Sequence, residues 1–183
     1  MSDKIGANIP LIDHHCHGVV PENLTAEQFE DLLSEAFAPP PAGTSHWDKP
    51  LALSIRRWCA PMLDLPKFAA PEDYFARRQE LGAVEVNRRF LRAAGFEMLL
   101  VDSGNRPGEL CSVEELGVIA DVPTREVVRM ESVAERVAET SGVTAAGYAD
   151  AFEAALRASL HNNVAGLKTV VAYRSTLAID YAP

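Results

Sequence analysis

Residues 8–18 read NIPLIDHHCHG. The apolar run 8–13 is short enough for one buried strand, and it ends in the polar cluster His14-His15-Cys16-His17. Side chains alternate along a strand. Asp13, His15 and His17 therefore share one face, and His14 and Cys16 the other. Two imidazoles at i and i+2 converge on one cation, and zinc takes such nitrogens at about 2.0–2.1 Å. A carboxylate two residues earlier can orient a ring or line the pocket. The competing reading is a solvated polar strand end. Cys16 points off the metal face and has no base in register, so burial suits it better than nucleophilic chemistry.

Downstream, Thr25 and Gln28 form a capping-box pattern before an amphipathic helix over 26–37, with Phe29, Leu32, Leu33 and Phe37 on one face. Pro39-Pro40-Pro41 stops it. Residues 47–63 and 71–94 read as further helices, the second ended by Gly95. Residues 96–101 (FEMLLV) read as a second strand running into Asp102-Ser103-Gly104. A short helix follows, capped by Ser112 and Glu115, and another over 133–140, capped by Ser132 and Glu135. A longer one covers 145–161. Residues 126–130 are a weak third strand, and 167–173 (LKTVVAY) reads as the fourth. Strands alternating with helices predict an α/β fold with a parallel sheet, and a helical insert over 22–95 follows the first strand.

Parallel strands present their C-terminal ends to the ligand site. Asp102 is thereby placed to contact a substrate or a metal-held water; the alternative is a turn carboxylate, with Gly104 at positive φ. In the 167–173 strand, parity groups Lys168, Val170, Ala172 and Arg174. Arg174 and Ser175 then sit at the mouth, where a guanidinium clamps a substrate carboxylate or bridges loops. Lys168, about 20 Å away at strand rise, falls to the floor as a structural cation. His46 and His161 read as loop and helix-end residues.

Seventeen Lys+Arg against 26 Asp+Glu give a net charge of -9. That field repels phosphate backbones and argues against nucleic acid as a partner. The densest basic stretch (Arg77, Arg78, Arg88, Arg89, Arg92) lacks interleaved aromatics and has Glu80 and Glu85 to pair with. No run of about 18 apolar residues predicts a membrane span. Three cysteines without a CxxC spacing suit a reducing, cytoplasmic setting.

LIDHHCHG (11–18), SIRRW (54–58), VDSG (101–104) and GLKTVVAYRSTLAID (166–180) together resemble the amidohydrolase superfamily. More narrowly, they are similar to its amidohydrolase 2 branch, which includes the FluG/nodulin amidohydrolase domain. The resemblance implies a (β/α)8 barrel with a divalent metal, zinc, at the C-terminal mouth. His15 and His17 match that family's first-strand ligands. It also implies hydrolysis of a small amide, or decarboxylation in some relatives, by metal-activated water. The association with glutamine synthetase-like enzymes suggests a γ-glutamyl amide. A complete barrel needs roughly 250 residues, and this chain has 183. The family's fifth-strand His and eighth-strand Asp fall beyond the four strands read here. The whole chain, 1–183, is therefore expected to be the N-terminal half of such a barrel with an incomplete site. The rival expectation is a non-catalytic half-barrel that forms homo-oligomers through its open sheet edges.

Overall fold

A computed structural model describes residues 9–35, 39–174, 176 and 178, with the Arg174 side chain excepted. Strands β1 (Leu11–Cys16), β2 (Phe96–Asp102), β3 (Thr124–Arg129) and β4 (Val164–Lys168) form one sheet in the order β1-β2-β3-β4. Leu99 to Asp102 run parallel to Thr124 to Val127, and Val127 to Arg129 run parallel to Gly166 to Lys168. With helices between the strands, this is an α/β fold with the sheet of half a barrel. The chain divides into two compact units, one carrying the sheet and one that is helical.

The helical unit comprises Val19–Phe96 and Val118–Asp121. It contains α1 (Ala26–Asp31), α2 (Pro50–Trp58), α3 (Pro71–Leu81) and α4 (Ala83–Ala94). The capping box at α1 is formed: Gln28 N donates to Thr25 Oγ1 at 3.2 Å, and Thr25 N donates to Gln28 Oε1 at 2.9 Å. The helix ends at Asp31, earlier than the periodicity predicts. Phe29 and Leu33 are buried and Leu32 is about half exposed; Phe37 lies outside the described residues. Phe29, Leu33, Leu63, Tyr74 and Val86 belong to one apolar cluster. Burying side chains of this size contributes about 1.5–3 kcal/mol each. Residues 47–63 are a helix flanked by short 3-10 turns rather than one helix. Residues 71–94 are two helices, because Gly82 takes φ +79 and ψ 153, a conformation open only to glycine. Gly95 ends α4 in the left-handed region.

Arg77, Arg88 and Arg89 are paired with carboxylates. Arg77 meets Asp64 and Glu80, each at 2.7 Å, Arg89 meets Asp64 and Glu85, each at 2.8 Å, and Arg88 meets Glu85. They belong to an ion-pair network rather than a free basic stripe.

The sheet unit carries α6 (Met130–Glu139), α7 (Tyr148–Ala158) and α8 (Val171–Arg174), and the start of α5 (Val113–Ala120). Ser112 and Glu115 cap α5 reciprocally: Ser112 N donates to Glu115 Oε2 at 2.8 Å and Glu115 N to Ser112 Oγ at 3.1 Å. Ser132 does not cap α6, which starts at Met130; its hydroxyl donates to Gly104 O at 3.1 Å instead. On the sheet face away from Asp102, Leu99, Val101 and Val128 are buried.

The fourth strand departs from expectation. It ends at Lys168, and Val171–Arg174 are helical. Thr169 explains the switch: its Oγ1 accepts from Val171 N at 3.1 Å, capping the turn, and also donates to Glu131. Val170 N donates to Glu131 Oε1 at 2.9 Å. The strong β-propensity of Val170, Val171 and Tyr173 is overridden by these contacts. Lys168 consequently stands at the C-terminal end of β4, not at the floor.

Candidate metal centre

Parallel strands align their C-terminal ends, and the last residues of three strands are Asp102 (β2), Arg129 (β3) and Lys168 (β4). His15 lies one residue from the end of β1, and His17 just beyond it. One ligand atom from each of His15, His17 and Asp102 lies within 4.8 Å of the others. The two rings meet edge to face, with centroids 5.3 Å apart. Asp13, on the same face by parity, accepts from His15 N at 3.1 Å through Oδ1 and so fixes the backbone before the ligands.

Asp102 is the buried anion of the group, with 1% of its surface exposed. Its Oδ1 accepts from Gly104 N at 2.9 Å. Its Oδ2 accepts from Arg129 Nη2 at 2.5 Å and Nε at 3.2 Å, and from Lys168 Nζ at 2.8 Å. Burial by itself raises a carboxyl pKa. Here the hydrogen bonds from Arg129, Lys168 and Gly104 outweigh it and hold Asp102 below the usual carboxylate range. The contact with Gly104 N is a turn contact, made without positive φ at Gly104. Gly104 is needed for space: a Cβ there would lie 2.6 Å from Arg129 Cβ and 2.7 Å from Ser132 Oγ.

Lys168 Nζ also lies 2.9 Å from His15 Nε2. An ammonium only donates, so Nε2 presents its lone pair toward the cluster. Burial, then the charge of Lys168 and then His17, lower the His15 pKa despite Asp102 and Asp13. A neutral ring is what metal ligation requires. His17 Nδ1 is 3.3 Å from Asp102 O and 3.8 Å from its Oδ2. Two imidazoles and one carboxylate are a donor set used by catalytic zinc, and the three groups fit a divalent cation after modest contraction. The Lys168 ammonium now stands beside two of the three ligand atoms.

Arg129 had no sequence signal of its own. The available clue was its place as the last residue of a strand whose parity matches Asp102. Arg174 closes α8 rather than a strand; its side chain, like Ser175, lies outside the described residues. Cys16 Sγ donates to Leu100 O at 3.6 Å, and burial pushes its thiol up to about 11. His46 is buried in the helical unit, its Nδ1 without a partner among the described residues. His161 Nε2 meets Glu126 Oε2 at 2.8 Å, and Glu126 also accepts from Ser103. These three line a cavity of about 550 Å³ beside the end of β2, together with Asp102, Arg106 and Cys111. Among the described residues no helix is long and apolar enough to cross a membrane.

No protein-family model and no curated protein matches the chain. Among solved structures, a presumed metal-dependent hydrolase from Lactobacillus casei is similar, with a TM-score of 0.61 and 23% sequence identity. The likeness covers 91% of this chain and 43% of that one, so this chain spans less than half of its structural neighbour. At this identity the likeness shows the fold alone, an α/β half-barrel.

Proposed function

We propose that this chain supplies the metal-binding half of a hydrolase acting on a small amide or related carbon–nitrogen substrate, with zinc as the cation. The observation that carries the reading is the convergence of His15, His17 and Asp102 at the C-terminal edge of a parallel sheet. The structural neighbour's description as a metal-dependent hydrolase supports the reaction class. The cavity of about 550 Å³ at the end of β2 suits a small molecule.

His15 and His17 would hold the cation, with Asp102 as third ligand. When bound, such a cation lowers the pKa of water and polarises a scissile carbonyl. Arg129 keeps Asp102 ionised and fixed. Lys168, 2.9 Å from His15 Nε2 and 2.8 Å from Asp102 Oδ2, would have to give up both contacts for the cation to enter. As a ligand still held by Arg129 and Gly104, Asp102 would be committed to the cation. Proton removal from water therefore falls to a carboxylate outside this cluster.

The test is a panel of small amides, γ-glutamyl amides included, assayed for release of amine or ammonia by zinc-reconstituted protein. A His15→Ala/His17→Ala variant serves as the blank. Zinc-dependent turnover absent from the variant is expected; zinc-loaded protein with no turnover on any amide would remove the hydrolase reading for this chain acting alone.

A further inference from the structure

We propose that Glu131 is the receiving group for the Lys168 ammonium: when a divalent cation takes His15, His17 and Asp102, Nζ leaves them and pairs with Glu131 Oε2. The starting point is an orphaned atom. Glu131 Oε2 is buried and has no hydrogen-bond partner among the described residues. A buried carboxylate oxygen left unpaired costs free energy, and native structures rarely keep one without a use.

The rest of the carboxylate is held in place. Glu131 stands in the first turn of α6, and its other oxygen, Oε1, accepts from Val170 N at 2.9 Å and from the Thr169 hydroxyl. Two donors on Oε1 fix the group and leave Oε2 as the open acceptor. Burial alone would raise the Glu131 pKa. Hydrogen bonds from Thr169, its own amide and Val170, and then the charge of Arg129, bring it below the usual carboxylate range. The group is an anion, and Oε2 lacks a cation.

Lys168 can supply it. The two residues that Glu131 grips follow Lys168 directly in the chain. The ammonium sits on a flexible four-carbon stem, so it can turn about its own Cα while β4 stays in place. Arg129 ties the two places together. Its Nη2 lies 2.5 Å from the Asp102 Oδ2 that Lys168 shares, and its charge acts on Glu131. Asp13, the rival carboxylate, stands two residues before His15 on β1 and carries no buried orphan oxygen.

The exchange conserves charge pairing. In the metal-free chain Lys168 offsets Asp102. With the cation bound it offsets Glu131, and the charge-assisted hydrogen bond lost at Asp102 is remade. Without a receiver the ammonium would stay beside the cation and oppose its binding.

The proposal rests on the metal reading, and a double-mutant cycle separates the two. Zinc is titrated calorimetrically into the 183-residue chain, Glu131→Gln, Lys168→Met and the double variant. Glutamine keeps an oxygen for Val170 N and Thr169 but offers Lys168 no charge. Glu131→Gln should bind zinc about tenfold more weakly than wild type. In the Lys168→Met background the same substitution should change the affinity by less than about twofold. Equal loss in both backgrounds would overturn the proposal, because Glu131 would then act on the site without Lys168. So would no loss in either. No zinc binding by wild type would remove the metal reading and this proposal together. Lysine acetylation with peptide mapping gives a second readout. Zinc should leave Lys168 of wild type as slow to react as in the metal-free protein, and should speed it at least about fivefold in Glu131→Gln. Faster labelling of zinc-loaded wild type would send the ammonium to solvent and overturn the proposal. If Glu131→Gln misfolds, the wild-type labelling alone decides.

Discussion

Lys168 Nζ lies 2.9 Å from His15 Nε2, joining the last residue of β4 to the penultimate residue of β1. The same nitrogen is 2.8 Å from Asp102 Oδ2, so the ammonium holds ligand atoms that a divalent cation needs. Two like charges about 4 Å apart repel by about 4 kcal/mol at an effective dielectric near 20, and relaxation absorbs part of this. Lys168→Met is therefore expected to tighten zinc binding by about tenfold in calorimetric titration. The metal-free variant should lose about 1–3 kcal/mol in urea unfolding, because Asp102 loses a partner.

Asp102→Asn leaves Arg129 and Lys168 facing a neutral group in a mostly buried cluster, with side chains 17% and 20% exposed. The expected cost at pH 7 is about 3 kcal/mol. The pH dependence has a definite sign. The folded pKa lies below the unfolded value of about 3.9, so the stabilisation is complete above that value and is lost as pH falls through the lowered folded one. Denaturation midpoints from pH 7 down to pH 2 should show the gap between wild type and variant closing only below about pH 4.

Gly82→Ala forces a side chain into φ +79, ψ 153 at the break between α3 and α4. A loss of about 1–3 kcal/mol is expected from thermal or urea unfolding. A neutral or stabilising result would mean that residues 71–94 can run on as one helix.

Cys16 is half-buried with its thiol pushed up to about 11 by burial. Alkylation at pH 8, followed by peptide mapping, should find it modified far more slowly in the native than in the unfolded protein. Rapid native labelling would contradict its packing against β2.

Much of the site can be read from spacing. Parity along residues 11–17 places His15 and His17 together, and the run 96–101 carries Asp102 to a strand end. The failures have physical causes. Residues 169–174 have β-branched and aromatic character, yet Thr169 caps a helical turn and Glu131, distant in sequence, takes the Thr169 and Val170 donors. Ending β4 five residues early moves Lys168 from the floor to the metal cluster. Arg129 was hidden because a strand-terminal arginine has no local signature; its role exists only once β2 and β3 are in register. Helix 71–94 misled because Gly82 alone does not announce a positive φ.

The central claim is that His15, His17 and Asp102 form a divalent-metal site. Isothermal titration of chelator-stripped protein with zinc tests it most directly, with His15→Ala/His17→Ala as the comparison. One zinc per chain, lost in the double variant while its circular dichroism is unchanged, is the predicted result. No binding by the wild type, or equal binding by the variant, would contradict it.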